Sequence, residues 1–268
     1  MLSHRQATRL TSLKNLALTT ALLLLCQPVT AGQLIAAVAA NFTGASKKIV
    51  ERFESNSGHQ VKISYGSTGK LFSQIKHGAP FEVFLAADSA HPQKAIADQL
   101  AIPGSRFSYA HGKLVLWSAQ ADRFSNGEDY LRQGQFKRIA IANPSTAPYG
   151  LAAQQLLIQL GIEQSLHSKL VRGESIAQAF QFTATGNAQV GLVAQSQLNH
   201  WKGDPGSQWI VPEDYYPAID QQAVLLNKGQ HNPVAVEFLK FLKGPEARRI
   251  INQYGYNLPA ENDHSGTQ

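Results

Sequence analysis

Cysteine is almost absent from this sequence of 268 residues, since Cys26 is the only one. Cys26 lies in an N-terminal segment that we predict to be removed on export, which leaves the mature chain without a disulfide. The large Leu25 precedes it where a lipid-attachment signal has a small residue, so we do not expect lipidation. An exported chain without disulfides depends on its hydrophobic core, and its length allows one large domain or two modest ones.

Long apolar runs are also scarce. Arg5, Arg9 and Lys14 precede the apolar run 16–25, and small residues follow up to Ala31. This order is typical of a secretory signal peptide, which we predict over residues 1–31, with cleavage after Ala31 and delivery to the periplasm. The run is too short for a comfortable membrane span, and no later run is long enough.

The net charge of the remaining chain is small once this segment is set aside. It holds three of the 24 basic residues and no acidic one, so the mature chain carries 21 basic and 18 acidic residues. The basic residues are dispersed, and we expect no nucleic-acid partner. The nine histidines lack metal-site spacing, and no G-x-S-x-G elbow occurs. We therefore expect no enzyme; an exported phosphoesterase using Ser67 or Thr68 would need a positioned base.

The most informative stretch that is present runs from Ser64 to Leu71, Ser-Tyr-Gly-Ser-Thr-Gly-Lys-Leu. The residues before it alternate as in a strand, and those after it have helical spacing. Ser67 or Thr68 can cap that helix, whose free N–H groups suit an anion, although a capped turn without a ligand fits equally well. A nucleotide phosphate loop is excluded, because Ser64 and Leu71 replace residues which that motif requires.

Strands and helices alternate along the rest of the chain, which indicates an α/β fold with mostly parallel sheets. We predict two lobes. Lobe I comprises residues 32–111 together with 221–261, and lobe II comprises residues 112–220. The polar tail, residues 262–268, is predicted to be disordered.

Four predicted loop-to-helix starts share one character, and they lie at Asn41, Ser67-Thr68, Tyr149-Gly150 and Ser175-Ile176. Apart from Lys70, none brings a cationic residue with it. If the four helix ends met at one cleft, their neutral donors would bind a dehydrated oxyanion. Each start alone is also explained by ordinary capping, with Asn41 and Ser175 as N-caps. We interpret Asp88, at the end of another strand, as a cap rather than a catalytic group.

This ordered set of segments resembles the periplasmic molybdate-binding proteins, the solute receptors of molybdate ABC transporters. The resemblance covers essentially the whole mature chain. Its motifs are Ala39-Ala40-Asn41-Phe42-Thr43, Tyr65-Gly66-Ser67-Thr68-Gly69-Lys70-Leu71 with Gln74-Ile75, Gly78-Ala79-Pro80 before Phe84-Leu85-Ala86-Ala87-Asp88, Asn143-Pro144 before Pro148-Tyr149-Gly150, Gly191-Leu192-Val193, and Phe241-Leu242-Lys243-Gly244-Pro245-Glu246-Ala247.

The resemblance implies a two-lobed periplasmic binding protein of the α/β class, each lobe a mostly parallel sheet flanked by helices, with the ligand in the cleft between the lobes. It implies molybdate, and tungstate with it, as the ligand. Molybdenum would enter only as the oxyanion, without a direct protein ligand and without any further cofactor. The implied partner is an inner-membrane ABC permease, and the implied state is a monomer.

Carried over by position, the resemblance implies a pocket formed by Asn41, Thr68, Ala87, Tyr149 and Ile176. Asn41 and Thr68 would each give a backbone amide and a side-chain donor. Ala87 and Ile176 would give backbone N–H groups, and Tyr149 would give its hydroxyl. Two neighbours, Ala40 and Ser67, are possible additional contacts.

The sequence departs from some members of that family at three positions. Those members have a serine in place of Asn41, a small residue in place of Tyr149 and a tyrosine in place of Ala194. We interpret the pattern as a swap of the tyrosine donor, a variant that also occurs in the family.

A receptor of the same fold for another oxyanion, such as sulfate, thiosulfate or a phosphonate, remains the alternative. Fixed donor distances would disfavour a smaller tetrahedral anion, which cannot reach every donor. Receptors of the phosphate type usually need an acceptor carboxylate, and Asp88 follows the expected contact at Ala87 instead of occupying it.

Overall fold

The computed structural model describes residues 31–260 of the chain. The predicted signal peptide, apart from its last residue, and the predicted tail at 262–268 lie outside the described residues. Within the described part, no helix combines the length and the apolar character needed to span a membrane.

Ten strands and ten α-helices make up the described chain. The strands are β1 (Gln33–Ala39), β2 (Gln60–Gly66), β3 (Val83–Leu85), β4 (Phe107–Gly112), β5 (Leu114–Ser118), β6 (Ile139–Ala142), β7 (Leu170–Gly173), β8 (Val190–Ala194), β9 (Ser207–Ile210) and β10 (Ile219–Leu225). The helices are α1 (Thr43–Ser57), α2 (Thr68–Lys76), α3 (Ala90–Ala97), α4 (Gly127–Gln133), α5 (Pro148–Gln159), α6 (Glu163–Leu166), α7 (Ile176–Ala184), α8 (Gln195–Leu198), α9 (Pro233–Lys243) and α10 (Pro245–Gln253).

The strands form two five-stranded sheets, which confirms the expected two-part α/β architecture. The first sheet has the order β2-β1-β3-β10-β4, and the second has the order β7-β6-β8-β5-β9. In each, three strands are parallel and the last two pair antiparallel. The sheets are therefore mixed, because in each of them a strand from outside the strand–helix–strand units adds to the parallel part in the opposite direction.

The chain passes between the two sheets twice. It leaves the first sheet at Gly112, the end of β4, and enters the second at Leu114. It returns to the first sheet at Ile219, where β10 begins. The exact boundaries of the two lobes remain a prediction, with lobe I at residues 32–111 and 221–261 and lobe II at residues 112–220.

Helix α1 shows how the sequence builds the core of the first sheet. Its buried residues include Ala45, Ile49 and Phe53, which recur every four residues and form one apolar face. The Phe53 ring packs edge-to-face on Phe238 of α9 at a centroid distance of 5.3 Å, and it also contacts Phe241 at 5.6 Å. These rings join the helix that follows β1 to the helix that follows β10.

The core of the second sheet is built on the strand Leu114–Ser118, which is buried along its whole length. The Trp117 indole stacks on Phe180 of α7 at a centroid distance of 4.9 Å, and Trp201 packs against both rings. A strand that is buried on both faces explains the continuous apolar run in its sequence.

Replacing Phe53 by alanine should destabilise the fold by about 3–5 kcal/mol, because the change leaves a cavity beside the rings of Phe238 and Phe241. Urea denaturation of the purified mature chain would measure the loss. The exposed Ile158 provides the control, and its replacement by alanine should change the unfolding free energy by no more than about 0.5 kcal/mol. Similar losses in both variants would contradict the assignment of Phe53 to the core.

Candidate functional site

All seven residues singled out from the sequence lie around one small cleft. It is lined by Ala40, Asn41, Ser67, Thr68, Ala87, Tyr149 and Ile176, and its walls are completed by Ala39, Gly66, Ala147 and Pro148. Its volume is about 200 Å³, including the part open to solvent. Residues up to Ala87 belong to the segments of the first sheet, and the others belong to those of the second. The cleft therefore lies between the two sheets.

Helix starts surround this cleft because the parallel strands end there. Strand β1 leads through the 3-10 turn Ala40–Phe42 into α1, and β2 leads through Ser67 into α2. Helices α5 and α7, which begin at Pro148 and Ile176, face them from the other sheet. The first N–H groups of each helix have no acceptor within that helix, and they carry its positive partial charge.

The loop before α2 differs from the expected capped turn. Ser67 occupies the N-cap position, but its side chain makes no capping hydrogen bond, and its buried Oγ has no partner among the described residues. The Thr68 hydroxyl accepts a hydrogen bond from the Ala87 N–H at 3.0 Å. The Ala87 amide is thus already paired with Thr68. The Thr68 hydroxyl hydrogen remains available to an anion in the cleft.

The Asn41 side chain corrects a second expectation. It does not cap α1, and its Nδ2 instead donates to Gln221 Oε1 at 2.7 Å and to the Tyr256 hydroxyl at 3.1 Å. Both Nδ2 hydrogens are therefore used inside the protein, so the predicted side-chain donor of Asn41 is wrong for this arrangement. The backbone of Asn41 still lines the cleft.

The side formed by the second sheet agrees better with the sequence patterns. Pro148 stands at the first position of α5, which suits a residue without an N–H group. Ser175 caps α7 by accepting a hydrogen bond from the Gln178 N–H, as predicted. The Tyr149 side chain is only 1% exposed, and its hydroxyl is buried without a partner of normal hydrogen-bond geometry among the described residues.

The electrostatic character of the cleft is neutral. Among the described residues that line it, none carries a charged side chain. Burial raises the pKa of the Tyr149 hydroxyl well above its usual value, and neighbouring tyrosines increase the shift. Tyr149 is therefore protonated at neutral pH and acts as a hydrogen-bond donor.

Asp88 takes the capping role that the sequence indicated. Its carboxylate accepts hydrogen bonds from the His91 N–H at 3.0 Å and from the His91 ring at 2.7 Å, at the start of α3. Asp88 does not line the cleft. Across residues 31–260, no three His, Cys, Asp or Glu side chains are grouped so as to hold a metal ion.

Contacts across the mouth of the cleft hold its two sides together. The Gly69 N–H donates to the Thr146 carbonyl at 2.8 Å, and Lys70 forms an ion pair with Glu174. A Cβ atom on Gly69 would lie 3.1 Å from the Thr146 backbone, so this close approach favours glycine. Lys70, the one cation next to the predicted loops, thus bridges the two sides.

The sequence patterns missed the buried polar residues behind the cleft. Gln221 and Tyr256 accept hydrogen bonds from the Asn41 side chain, and the Tyr109 hydroxyl donates to Gln221. Ser196 donates to the Asn41 carbonyl at 3.1 Å. The only local signal is the pair of glutamines that precedes the apolar run 223–226. Two polar residues in a buried strand are unusual enough to draw attention to that position.

Comparison with known protein families gives one clear match. The model of the bacterial extracellular solute-binding proteins matches residues 34–257, most of the chain. This chain belongs to that family. The match spans both sheets and every segment that lines the cleft.

Relatives within the family share both sequence and fold. The molybdate-binding protein ModA of Azotobacter vinelandii is 51% identical over 229 residues, which cover 85% of this chain and 91% of that protein. The ModA protein of Rhodobacter capsulatus is 49% identical over 232 residues, 87% and 91% of the two chains. The solved A. vinelandii periplasmic molybdate-binding protein superposes with a TM-score of 0.82, at 41% identity in the structural alignment, covering 85% of this chain and all of that one.

The buried tyrosines predict how stability depends on alkaline pH. Burial raises the pKa values of Tyr109, Tyr149 and Tyr256 above the ordinary value of 10.0. Their contribution to stability is full below pH 10, where the unfolded chain keeps its phenols neutral, and is lost as the pH rises towards the native pKa values. We expect urea denaturation between pH 8 and about 11.5 to show an unfolding free energy that is constant up to about pH 10 and falls above it. Ionisation of all eight tyrosines, measured at about 295 nm while the circular dichroism stays native, would contradict this.

The ion pair across the mouth predicts a small, salt-dependent effect on the separation of the two sides of the cleft. Replacing Glu174 by glutamine should favour separation of the two sides of the cleft by up to about fivefold at low salt, because an exposed ion pair contributes at most about 1 kcal/mol. Since residues 32–268 contain no cysteine, dyes on Lys47→Cys and Gln164→Cys in that chain can report the distance between the two sides by energy transfer.

Glu51 offers the matched control for that experiment. It forms an exposed ion pair with Lys48 inside α1, so Glu51→Gln removes a similar pair without touching the cleft. The Glu51→Gln variant should leave the energy transfer unchanged. An equal shift in both variants, or a Glu174→Gln effect that persists at about 1 M salt, would refute a specific role of the bridge.

Proposed function

We propose that this chain is a periplasmic receptor that binds molybdate, and tungstate with it, in the cleft between its two sheets and delivers it to an ABC permease in the inner membrane. The observation that carries the proposal is the convergence of helix starts and neutral hydroxyl groups on one uncharged cleft. The proposal also draws on the relatives at 49–51% identity, which are named for molybdate binding. We further propose that the receptor acts as a monomer without a cofactor.

The donor set suits a fully deprotonated tetrahedral oxyanion. Backbone N–H groups at helix starts, with the hydroxyls of Ser67, Thr68 and Tyr149, offer hydrogens from several directions. An anion that keeps a proton, as phosphate does near neutral pH, would bring an O–H group that needs an acceptor. The described side chains that line the cleft include no carboxylate to accept it.

Size provides the discrimination against sulfate, the ligand of the alternative receptor. The walls are mostly backbone and short side chains, so donor positions move little once the two sides meet. A smaller anion leaves some donors unpaired, at a cost of about 1–3 kcal/mol for each buried group. Two unpaired donors would therefore be enough for a preference of at least tenfold.

Binding without chemical conversion is the function that fits these residues best. Ser67 Oγ is buried without a hydrogen-bond partner among the described residues, so no base is in place to activate it. The phosphoesterase hypothesis therefore lacks the base that it requires. We propose that the ligand is released from the cleft without chemical change.

A thermal-shift panel on residues 32–268 tests the proposal with molybdate, tungstate, sulfate, phosphate and chromate at equal concentrations. A ligand present at 100 times its dissociation constant stabilises the native state by about 2.7 kcal/mol, which raises the melting temperature by several degrees. Molybdate and tungstate should produce this shift and the smaller anions should not. A shift with sulfate alone would support the alternative receptor, and no shift with any anion would refute both.

Matched tyrosine variants then locate the site. Tyr149→Phe should weaken molybdate binding by about tenfold in isothermal titration, because one donor to the anion is lost. Tyr130→Phe removes the hydroxyl of another buried tyrosine that does not line the cleft, and this variant should bind like the unmodified chain. Unchanged affinity in Tyr149→Phe would remove Tyr149 from the pocket.

A further inference from the structure

Gln221 is a fully buried polar residue in the strand that returns the chain to the first sheet. It is 0% exposed, and it lies in β10 at a β-bulge, where the pairing with β4 shifts between Gln221 and Gln222. Ala110 pairs with Gln221 and Ser108 pairs with Gln222, so Tyr109 is the extra residue of the bulge. Bulges redirect side chains next to functional sites.

One end of the Gln221 amide is fixed by two donors. Its Oε1 accepts from Asn41 Nδ2 at 2.7 Å and from the Tyr109 hydroxyl at 3.2 Å. The Asn41 amide is held in turn by the Tyr256 hydroxyl, which accepts from Nδ2 at 3.1 Å and donates to the Asn41 carbonyl at 2.8 Å. Because Oε1 faces these donors, the amide has one orientation, and its Nε2 points the other way.

The other end of the amide lies beside Tyr149. A Cβ atom placed on Gly112 would lie 2.1 Å from the Tyr149 hydroxyl and 2.9 Å from Gln221 Nε2, so both atoms occupy the same small space. Each is buried without a partner of normal geometry among the described residues. The two atoms are complementary hydrogen-bonding partners. Gln221 Nε2 can only donate, and the Tyr149 phenol oxygen can accept from it while keeping its own hydrogen.

We propose that Gln221 is the positioning residue of the oxyanion cleft: its Oε1 holds Asn41 and its Nε2 orients the Tyr149 hydroxyl so that the phenol hydrogen is directed to the ligand. This proposal rests on the function proposed above. It assigns a binding role to a residue that does not line the cleft, and it explains why a primary amide stands at this buried position. An amide offers an acceptor at one end and a donor at the other, as the two sides of the position require.

A carboxylate at this position would replace the hydrogen-bond donor at one end of the side chain by an acceptor. In Gln221→Glu the oxygen that replaces Nε2 accepts the Tyr149 hydrogen, which is then lost to the ligand, and its negative charge repels the anion. Protonation of the introduced carboxyl restores a donor at that end. The tyrosines near the position are Tyr109, Tyr149, Tyr216 and Tyr256, whose pKa values are raised by burial, so they stay neutral over the range tested. The other ionisable groups are the Asp88 and Asp220 carboxylates that act on Tyr109, His91 beside Asp88, His111 beside Asp220, and Arg106, which donates to Gln222. These carboxylates would raise the pKa of the introduced group further.

Isothermal titration of molybdate between about pH 5.5 and 8.5 tests the proposal on the full mature chain. The unmodified protein should show little change in dissociation constant over this range. Gln221→Glu should bind at least about 100-fold more weakly at the upper end and should recover most of the loss at the lower end. Gln221→Met, which has nearly the same shape and no charge, should lose about tenfold at every pH.

Two comparisons separate positioning from a general structural role. Gln222→Met makes the same substitution at the next residue of the strand, outside this network, and should bind normally. In a Tyr149→Phe background, Gln221→Met should cost clearly less than in the unmodified background, because the group that it orients is gone.

The possible outcomes distinguish this proposal from the proposed function. If the unmodified protein binds no molybdate, the proposed function fails, and this inference fails with it. If the unmodified protein binds and Gln221→Met binds within threefold of it, or loses as much with Tyr149→Phe as without, Gln221 does not position Tyr149. Should Gln221→Met fail to fold by circular dichroism, the Gln221→Glu profile decides alone, and a loss that does not diminish on acidification refutes the proposal.

Discussion

Backbone N–H groups at helix starts, which have no acceptor within their own helices, are the feature on which the rest of this structure depends. Four such starts meet at one cleft without a formal positive charge in its lining. Their partial charges repel each other across an empty cleft and attract a doubly charged anion placed between them. An anion in the cleft therefore adds an attraction to the contacts that already join its two sides, which is a simple physical basis for holding two halves of a molecule around it.

Neutral donors also set what kind of specificity is possible. A cationic side chain attracts any anion, whereas fixed N–H and O–H groups favour an anion whose oxygens reach all of them and which needs no acceptor. The buried tyrosines are suited to this task, because burial keeps their hydroxyls protonated. These tyrosines place polar groups inside the core. The core tolerates them only because most of these groups hydrogen-bond with one another.

The local patterns of the sequence predicted the helix starts around the cleft, because a strand followed by a glycine or serine turn and a helix is encoded within about ten residues. The resemblance to a known family, and not these patterns, assigned residues such as Ala87 to one pocket. Parallel strands then bring such turns to one edge, as for Asn41 and Thr68. Such patterns could not predict the hydrogen-bond partners of those residues. Gln221 lies 180 positions from Asn41 in the chain, and only the antiparallel return of β10 and its bulge bring them together. Such patterns do not identify the one antiparallel strand within each mostly parallel sheet for the same reason, since strand direction depends on long-range pairing.

The hydrogen bond between the Gly69 N–H and the Thr146 carbonyl joins the two sides of the cleft through main-chain atoms alone. Side-chain replacements elsewhere around the cleft can alter how strongly it holds an anion and leave this spacing as it is, whereas a Cβ atom on Gly69 would meet the Thr146 backbone. The width of the closed cleft is thus a property of the backbone, and the strength of binding is a property of the side chains. Diverging sequences on this framework can therefore vary affinity over a wide range while they keep the same filter for ligand size.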